Sequence, residues 1–157
     1  MSNDDLKEYK DKRDFEKTGE PDSNENNSEK IFVIQKHDAS NLHYDFRFAY
    51  NGVLKSWAVP KGVPKKGGVK HLAIQTEDHP LDYADFEGEI PEDQYGGGTV
   101  EIYDRGTYEN IRSKSIRDSF DDGKIGLQLN GDEIEGKYYL IHTDDENWLI
   151  LKKKKKE

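Results

Sequence analysis

With 157 residues, 36% of them charged, and a formal net charge of −9, the chain is long enough for one domain that buries roughly 70% of the surface its unfolded form exposes. It has no cysteine, which excludes a disulfide framework, a thiolate metal site and a cysteine nucleophile, so any metal must be held by imidazole and carboxylate. No apolar run reaches the roughly 18 residues of a membrane span, and residues 1–5 lack the basic-then-apolar layout of a secretory signal, so a cytoplasmic location without a membrane partner is expected.

Residues 6–17, with Leu6, Tyr9, Lys10, Arg13 and Phe15, read as a short amphipathic helix that Asp4 or Asp5 can cap. Residues 20–29 are rich in Pro, Asp, Ser and Asn and read as a loop, which starts the ordered core near Ile31. From there the period is two. Strands are predicted over 31–37, 42–50 and 53–59, the last two joined by the hairpin dipeptide Asn51-Gly52. A Pro/Gly/Lys loop over 60–68 leads to further strands at 71–77, 87–90, 98–103, 106–110, 125–130, 137–143 and 148–152, with one or two helical turns over 113–120. Many short strands separated by Gly-rich turns predict a mainly β fold, a compact closed antiparallel β-barrel with short flanking helices, because closure removes edge strands. The chain then divides into an N-terminal helix and leader over 1–30, a barrel domain over 31–152 and a Lys-rich tail over 153–157. The run Lys152 to Lys156 reads most simply as a solubilising tail, with contact to nucleic acid backbone as the alternative.

Taken alone, the net acidity argues against a protein that holds nucleic acid through many phosphate contacts. The distribution is uneven. Residues 31–72 carry Lys36, Arg47, Lys55, Lys61, Lys65, Lys66 and Lys70 against only Asp38 and Asp45, whereas residues 73–122 are strongly acidic. Such polarity can steer one phosphate end into one cleft while disfavouring sliding along a duplex.

The segment from Gln35 to Phe48 is the most informative. Side chains on a strand alternate faces, so His43, Asp45 and Arg47 share one side and Tyr44, Phe46 and Phe48 the other. The aromatic side is core, and the polar side must look into something else. Two imidazoles plus a carboxylate, with room left for water, form the ligand set of a catalytic divalent site, and a hairpin return would bring His37 level with His43 and Asp45. Arg47, one pair beyond, is placed to grip a phosphate bidentately. The alternative is a pair of structural histidines with Asp45 in a plain ion pair to Arg47.

A second segment, Glu77-Asp78-His79-Pro80-Leu81-Asp82-Tyr83, follows a predicted strand. Pro80 biases His79 toward extended or turn geometry. Held at a strand exit between carboxylates, His79 could act as general acid or base or donate to a phosphoryl oxygen; otherwise it is a loop histidine with Asp82 as a cap. Glycines 96–98 are read as turn residues, since the following Thr99-Val100-Glu101-Ile102 is a strand and no Lys-Ser or Lys-Thr completes a phosphate loop. Trp57 and Trp148 are expected in the core. No Gly-x-Ser-x-Gly elbow occurs, which argues against a serine hydrolase.

These motifs resemble the 3′-phosphoesterase domain of bacterial DNA ligase D and its stand-alone relatives. The likeness runs from Tyr9-x-x-Lys12-Arg13-Asp14-Phe15-x-x-Thr18-x-Glu20-Pro21 through 32–47, Gly52 to Gly62, 77–88 and 90–100, nearly the whole chain. The resemblance implies a β-barrel with a crescent groove that binds Mn2+ or another divalent cation such as Zn2+ or Co2+. It implies His37, His43 and Asp45 as metal ligands and Arg47, His79 and Lys61 as phosphate contacts. It matches Glu77, Tyr83 and Gln35 to further active-site positions and Arg13, Asp14 and Glu20 to N-terminal residues needed for activity, so that the leader is expected to fold over the groove. The implied activity acts on the 3′ end of a primer-template: a phosphodiesterase step removes a terminal ribonucleoside, and a phosphomonoesterase step then removes the 3′-phosphate. Ligase, polymerase or other end-joining partners would be separate proteins, and a monomer is expected. One departure is His71, preceded by Lys70, where many members carry Arg; a weaker phosphate grip and a weaker monoesterase step are expected there. Two rivals remain open at this stage: a non-catalytic metal-dependent 3′-phosphate-binding module, and a metalloenzyme acting on small phosphorylated metabolites.

Overall fold

Alternation of apolar and polar side chains builds nearly all of the molecule. A computed structural model describes residues 30–91 and 97–154; the predicted helix at 6–17 and its leader lie outside the described residues. The strands are β1 (Ile31–Asp38), β2 (Leu42–Tyr50), β3 (Val53–Val59), β4 (Lys70–Pro80), β5 (Gly88–Ile90), β6 (Gly98–Asn110), β7 (Lys124–Gly131), β8 (Glu135–Asp144) and β9 (Asn147–Lys152). A 3₁₀ helix spans Leu81–Asp85 and α1 spans Ile116–Asp122. Every pairing is antiparallel, in the order β1-β2-β3-β4-β9-β8-β7-β6, and β6 returns to β1 to close an eight-stranded barrel. The short β5 pairs with the first residues of β6, a stretch that β7 does not reach.

Local signals explain the joins. Asn51 and Gly52 both take positive φ, 54° and 80°, as the tight turn between β2 and β3 requires. Ser115 caps α1 by accepting the Asp118 N–H at 3.1 Å, and Gly123 ends it in the left-handed region at φ 76°. The helix thus starts and stops later than the predicted 113–120.

Two strand predictions change. Segments 98–103 and 106–110 form one continuous strand, because the Asp104-Arg105 pair that reads as a turn lies opposite Ile34 and Val33, where a bulge between Ile34 and Gln35 absorbs an extra residue. Asp104 is buried there, its carboxylate accepting the backbone N–H groups of Asp132, Glu133 and Ile134 at 2.8–3.1 Å. The strand predicted at 71–77 runs on to Pro80, which pairs with Val53 at the end of the ladder, so His79 lies in extended backbone inside β4.

The barrel interior is packed with rings. Trp57 stacks on Phe48 at 5.6 Å and on Phe120 at 5.8 Å, with Trp148 edge-on at 5.6 Å, and both tryptophans are core residues as expected. A second apolar cluster lies on the outside of the wall. Val33, Ala49 and Leu54 from β1, β2 and β3 pack there against Leu81, Tyr83 and Ala84, which fastens the 3₁₀ helix to the outer surface. Among the described residues no helix is long and apolar enough to cross a membrane.

Candidate metal centre and active site

Because Ile34, Phe46 and Phe48 point into the barrel, their neighbours Gln35, His37, Asp45 and Arg47 occupy its outer wall. Register does the rest: His37 pairs with His43 and Gln35 with Asp45 across β1 and β2. His37 Nδ1 lies 3.5 Å from Asp45 Oδ2 and His43 Nε2 3.2 Å from Asp45 Oδ1. One donor atom from each residue falls within 4.8 Å of the others. Donors held at about 2.0–2.2 Å from a tetrahedral ion lie roughly 3.4 Å apart, so a small inward adjustment of these side chains would close the group on a shared ion, and three protein ligands leave positions for water or substrate. His43 Nδ1 faces the Asn41 carbonyl at 3.1 Å; donation there turns Nε2 toward Asp45 as the ligating nitrogen. Gly98 backs this arrangement, since a Cβ at its positive φ would collide with the Asp38 carbonyl beside His37.

Electrostatics prepare the group for a cation. Burial alone would raise the Asp45 pKa, but the Arg47 guanidinium and hydrogen bonds from His37 and His43 overcome it and hold the carboxyl well below the usual carboxylate range. His43 is shifted upward, first by its hydrogen bond to Asp45, with burial opposing.

Arg47 is held from behind. Its Nε donates to Gln35 Oε1 at 2.7 Å and Nη2 to Asp45 Oδ2 at 3.3 Å, while its guanidinium carbon lies 4.8 Å from the Tyr83 ring centre. Gln35 is fully buried and donates in turn to the Tyr83 and Phe86 carbonyls at 2.8 and 3.1 Å, tying the arginine to the 3₁₀ helix. Nη1 of Arg47 is buried and has no hydrogen-bond partner among the described residues. An unsatisfied buried donor of a charged group costs at least about 1–3 kcal/mol, and an anion arriving in front of Arg47 would satisfy it.

These residues line a cavity of about 300 Å³ on the barrel wall, with Glu77, His79 and Tyr83 on its far side. His79 Nδ1 faces the Glu77 carbonyl at 2.9 Å and its ring meets Tyr83 edge-on at 4.7 Å. Of the expected site residues, His37, His43, Asp45, Arg47, Glu77, His79 and Tyr83 therefore surround one space. Gln35 stands behind Arg47 rather than in the lining. Lys61 is exposed in the turn after β3 and is not among the lining residues. Arg13, Asp14 and Glu20 lie outside the described residues. His71 is turned toward the Gly62 carbonyl, 2.6 Å away, and does not line the cavity either. Sequence reasoning missed Ala58, Thr76 and Ile90 as lining residues; only the pairing of β3 with β4 reveals that Thr76 stands beside Ser56, next to Arg47.

Fold and site together define a small closed barrel that carries, on its outer wall, a His-His-Asp group able to hold a divalent ion beside an arginine poised for an anion. The chain belongs to the DNA ligase D 3′-phosphoesterase domain family, whose sequence model matches residues 35–142. It is similar to the multifunctional non-homologous end joining protein LigD of Pseudomonas aeruginosa, 44% identical over 157 residues that cover 95% of this chain and 18% of the relative. It is also similar to the multifunctional non-homologous end joining DNA repair protein LigD of Mycobacterium tuberculosis, 46% identical over 92% of this chain and 19% of the relative. The LigD of Mycolicibacterium smegmatis is 43% identical over 96% and 21% respectively. The chain thus spans about a fifth of the length of these curated relatives.

Proposed function

We propose that the chain is a metal-dependent phosphoesterase that processes nucleic acid 3′ ends in non-homologous end joining. On a primer-template it hydrolyses the bond between the strand's last internucleotide phosphorus and the O5′ of a terminal ribonucleoside: water oxygen joins phosphorus, O5′ leaves with a proton, and a 3′-phosphate remains. A second hydrolysis breaks the phosphorus–O3′ bond, releasing inorganic phosphate and a 3′-OH for repair. The observation that carries this reading is Arg47, two ladder positions beyond Asp45 on the same face, whose buried Nη1 has no hydrogen-bond partner among the described residues. Family membership and the end-joining names of the relatives support it.

Bound by His37, His43 and Asp45, a divalent ion such as Mn2+, Zn2+ or Co2+ would supply Lewis-acid polarisation of a phosphoryl oxygen. Arg47 holds a second phosphoryl oxygen and neutralises charge that develops in the transition state. His79 faces the same space and carries the proton to the leaving oxygen, with Glu77 and Tyr83 fixing its ring. Gln35 positions Arg47. Lys61 and the N-terminal residues Arg13, Asp14 and Glu20 enter as substrate contacts from the resemblance. We expect the ligase and polymerase activities needed for joining to come from other polypeptide segments or proteins.

Incubation with a labelled primer-template ending in one ribonucleotide tests this. Mn2+ should yield first a 3′-phosphate and then a 3′-OH product, and chelator should stop both. Retained binding of the 3′-phosphate end without product under any divalent ion would instead make the chain a binding module.

A further inference from the structure

A second cleft, of about 810 Å³, is lined by Lys137, Lys152, Lys153 and Lys154 together with Glu133 and Glu135, and shares no residue with the cavity at the His-His-Asp group. The ladder places both at one end of the barrel. At that end β1 hands over to β2 at the paired His37 and His43, β3 stops at Val59 opposite Tyr44, and β9 stops at Lys152 opposite Tyr138. The connection from β3 to β4, residues 60–69, adds the exposed Lys61, Lys65 and Lys66, and Lys70 opens β4.

The C-terminal lysines here stand on fixed backbone. The Lys153 N–H donates to the Lys137 carbonyl at 2.7 Å and the Gly68 N–H to the Lys152 carbonyl at 3.0 Å. Lys152 Nζ reaches the Lys65 carbonyl at 3.3 Å. A Cβ at Gly67 would come within 2.9 Å of the Lys154 Cα, so the loop can close on the strand end only because residue 67 is glycine. Carboxylates at this end are Asp38, where β1 stops, and Asp132, Glu133 and Glu135 between β7 and the start of β8, and Glu133 is already engaged by Lys65 at 3.4 Å. Among the described residues, four lysines around the cleft and four from the β3–β4 connection and its exit therefore outnumber these four acids. In a chain of net charge −9, a polyanion is repelled elsewhere and drawn to this end.

We infer that this lysine end is a docking surface for the phosphodiester backbone of the duplex that adjoins the strand terminus being processed. The inference rests on the phosphoesterase reading for its choice of duplex, although backbone binding itself needs no chemistry. Lysine offers point charges without base preference, so the surface reads phosphates and positions the substrate rather than selecting sequence.

The test is fluorescence anisotropy of the full chain on a labelled primer-template across a salt series, for wild type and for the combined Lys66→Gln, Lys153→Gln, Lys154→Gln variant. All three positions are exposed, and an unchanged Tm verifies that the variant folds. Loss of three phosphate contacts should lower the slope of log affinity against log salt by about 2.7, roughly 0.9 per contact, and weaken low-salt binding by about tenfold or more. KM for the duplex should rise in step while kcat stays at the wild-type value. A wild-type slope and wild-type affinity in the folded variant overturn the inference. A chain that turns over no strand end with any divalent ion, yet loses salt dependence in the variant, would sink the phosphoesterase reading and uphold this one.

Discussion

The inside and the outside of the β1–β2 wall are made by the same two strands and obey opposite rules. Phe46 and Phe48 face a core of stacked rings, while Asp45 and Arg47, one residue along, face each other and two imidazoles in a buried polar cluster on the outer surface. Inside, any apolar shape of the right volume would stabilise the fold. Outside, desolvated charge is tolerated because the groups are held by partners, and Arg47 Nη1, without a partner among the described residues, is the donor that a bound anion would satisfy. On the proposed reading, substitutions on the inner face act on folding, and those in the outer polar cluster act on activity.

Substitutions should separate the two faces. Asp45→Asn, which keeps the shape and removes the charge, should lower turnover with Mn2+ by a factor of roughly 10²–10³, given roughly 3–4 kcal/mol for a lost electrostatic contribution of this kind; steady-state assays on a 3′-ribonucleotide primer-template check it, and turnover near wild type breaks the division. Leu129→Ala, in the core on the far side of the barrel, should cost about 2–5 kcal/mol in denaturant unfolding while leaving kcat of the folded fraction unchanged. Gln35→Met sharpens the comparison because Gln35, on the outer face beside Arg47, is buried as fully as the core. It should cost stability, roughly 1–3 kcal/mol for each buried partner left unsatisfied, and also lower kcat, since Arg47 loses its support. Ser115→Ala should remove only a helix cap, about 1 kcal/mol in the same unfolding assay, with no kinetic effect.

How far the sequence revealed this division can be judged residue by residue. Period-two alternation and the Asn51-Gly52 turn locate β1 to β3 almost to the residue, because each depends on local chemistry. The same alternation separates His43, Asp45 and Arg47 from the aromatic face. Closure, expected because it removes edge strands, is achieved by β6 returning to β1 and puts that polar face on the outside of the wall, a pairing that alternation alone does not give. Nor does alternation reveal the 3₁₀ helix Leu81–Asp85, which is held by contacts with Val33, Ala49 and Leu54 that are remote in the chain. The role of Gln35 behind Arg47 is invisible for the same reason: its partners Tyr83 and Phe86 are 48 and 51 residues away.

The smallest effect concerns protons. The folded His43 pKa lies above the ordinary imidazole value of about 6.5, so its pairing with Asp45 stabilises the metal-free protein fully below that value and is lost as pH rises through the raised pKa. Asp45, shifted downward, contributes stability above its ordinary pKa that is lost only in strong acid. Divalent ions need neutral His43, so metal-induced stabilisation should run the other way and grow with pH across the His43 window. Calorimetric melting of the metal-free and Mn2+-loaded protein over that range checks the crossing of the two trends.

An anomalous-scattering map of the Mn2+-soaked protein, collected at the manganese edge, addresses the shared ion itself. A single strong peak at about 2.2 Å from one nitrogen each of His37 and His43 and one oxygen of Asp45, with Arg47 facing its open side, is the predicted result. Manganese bound elsewhere in a protein whose turnover depends on it, with those three side chains unliganded, would contradict the account.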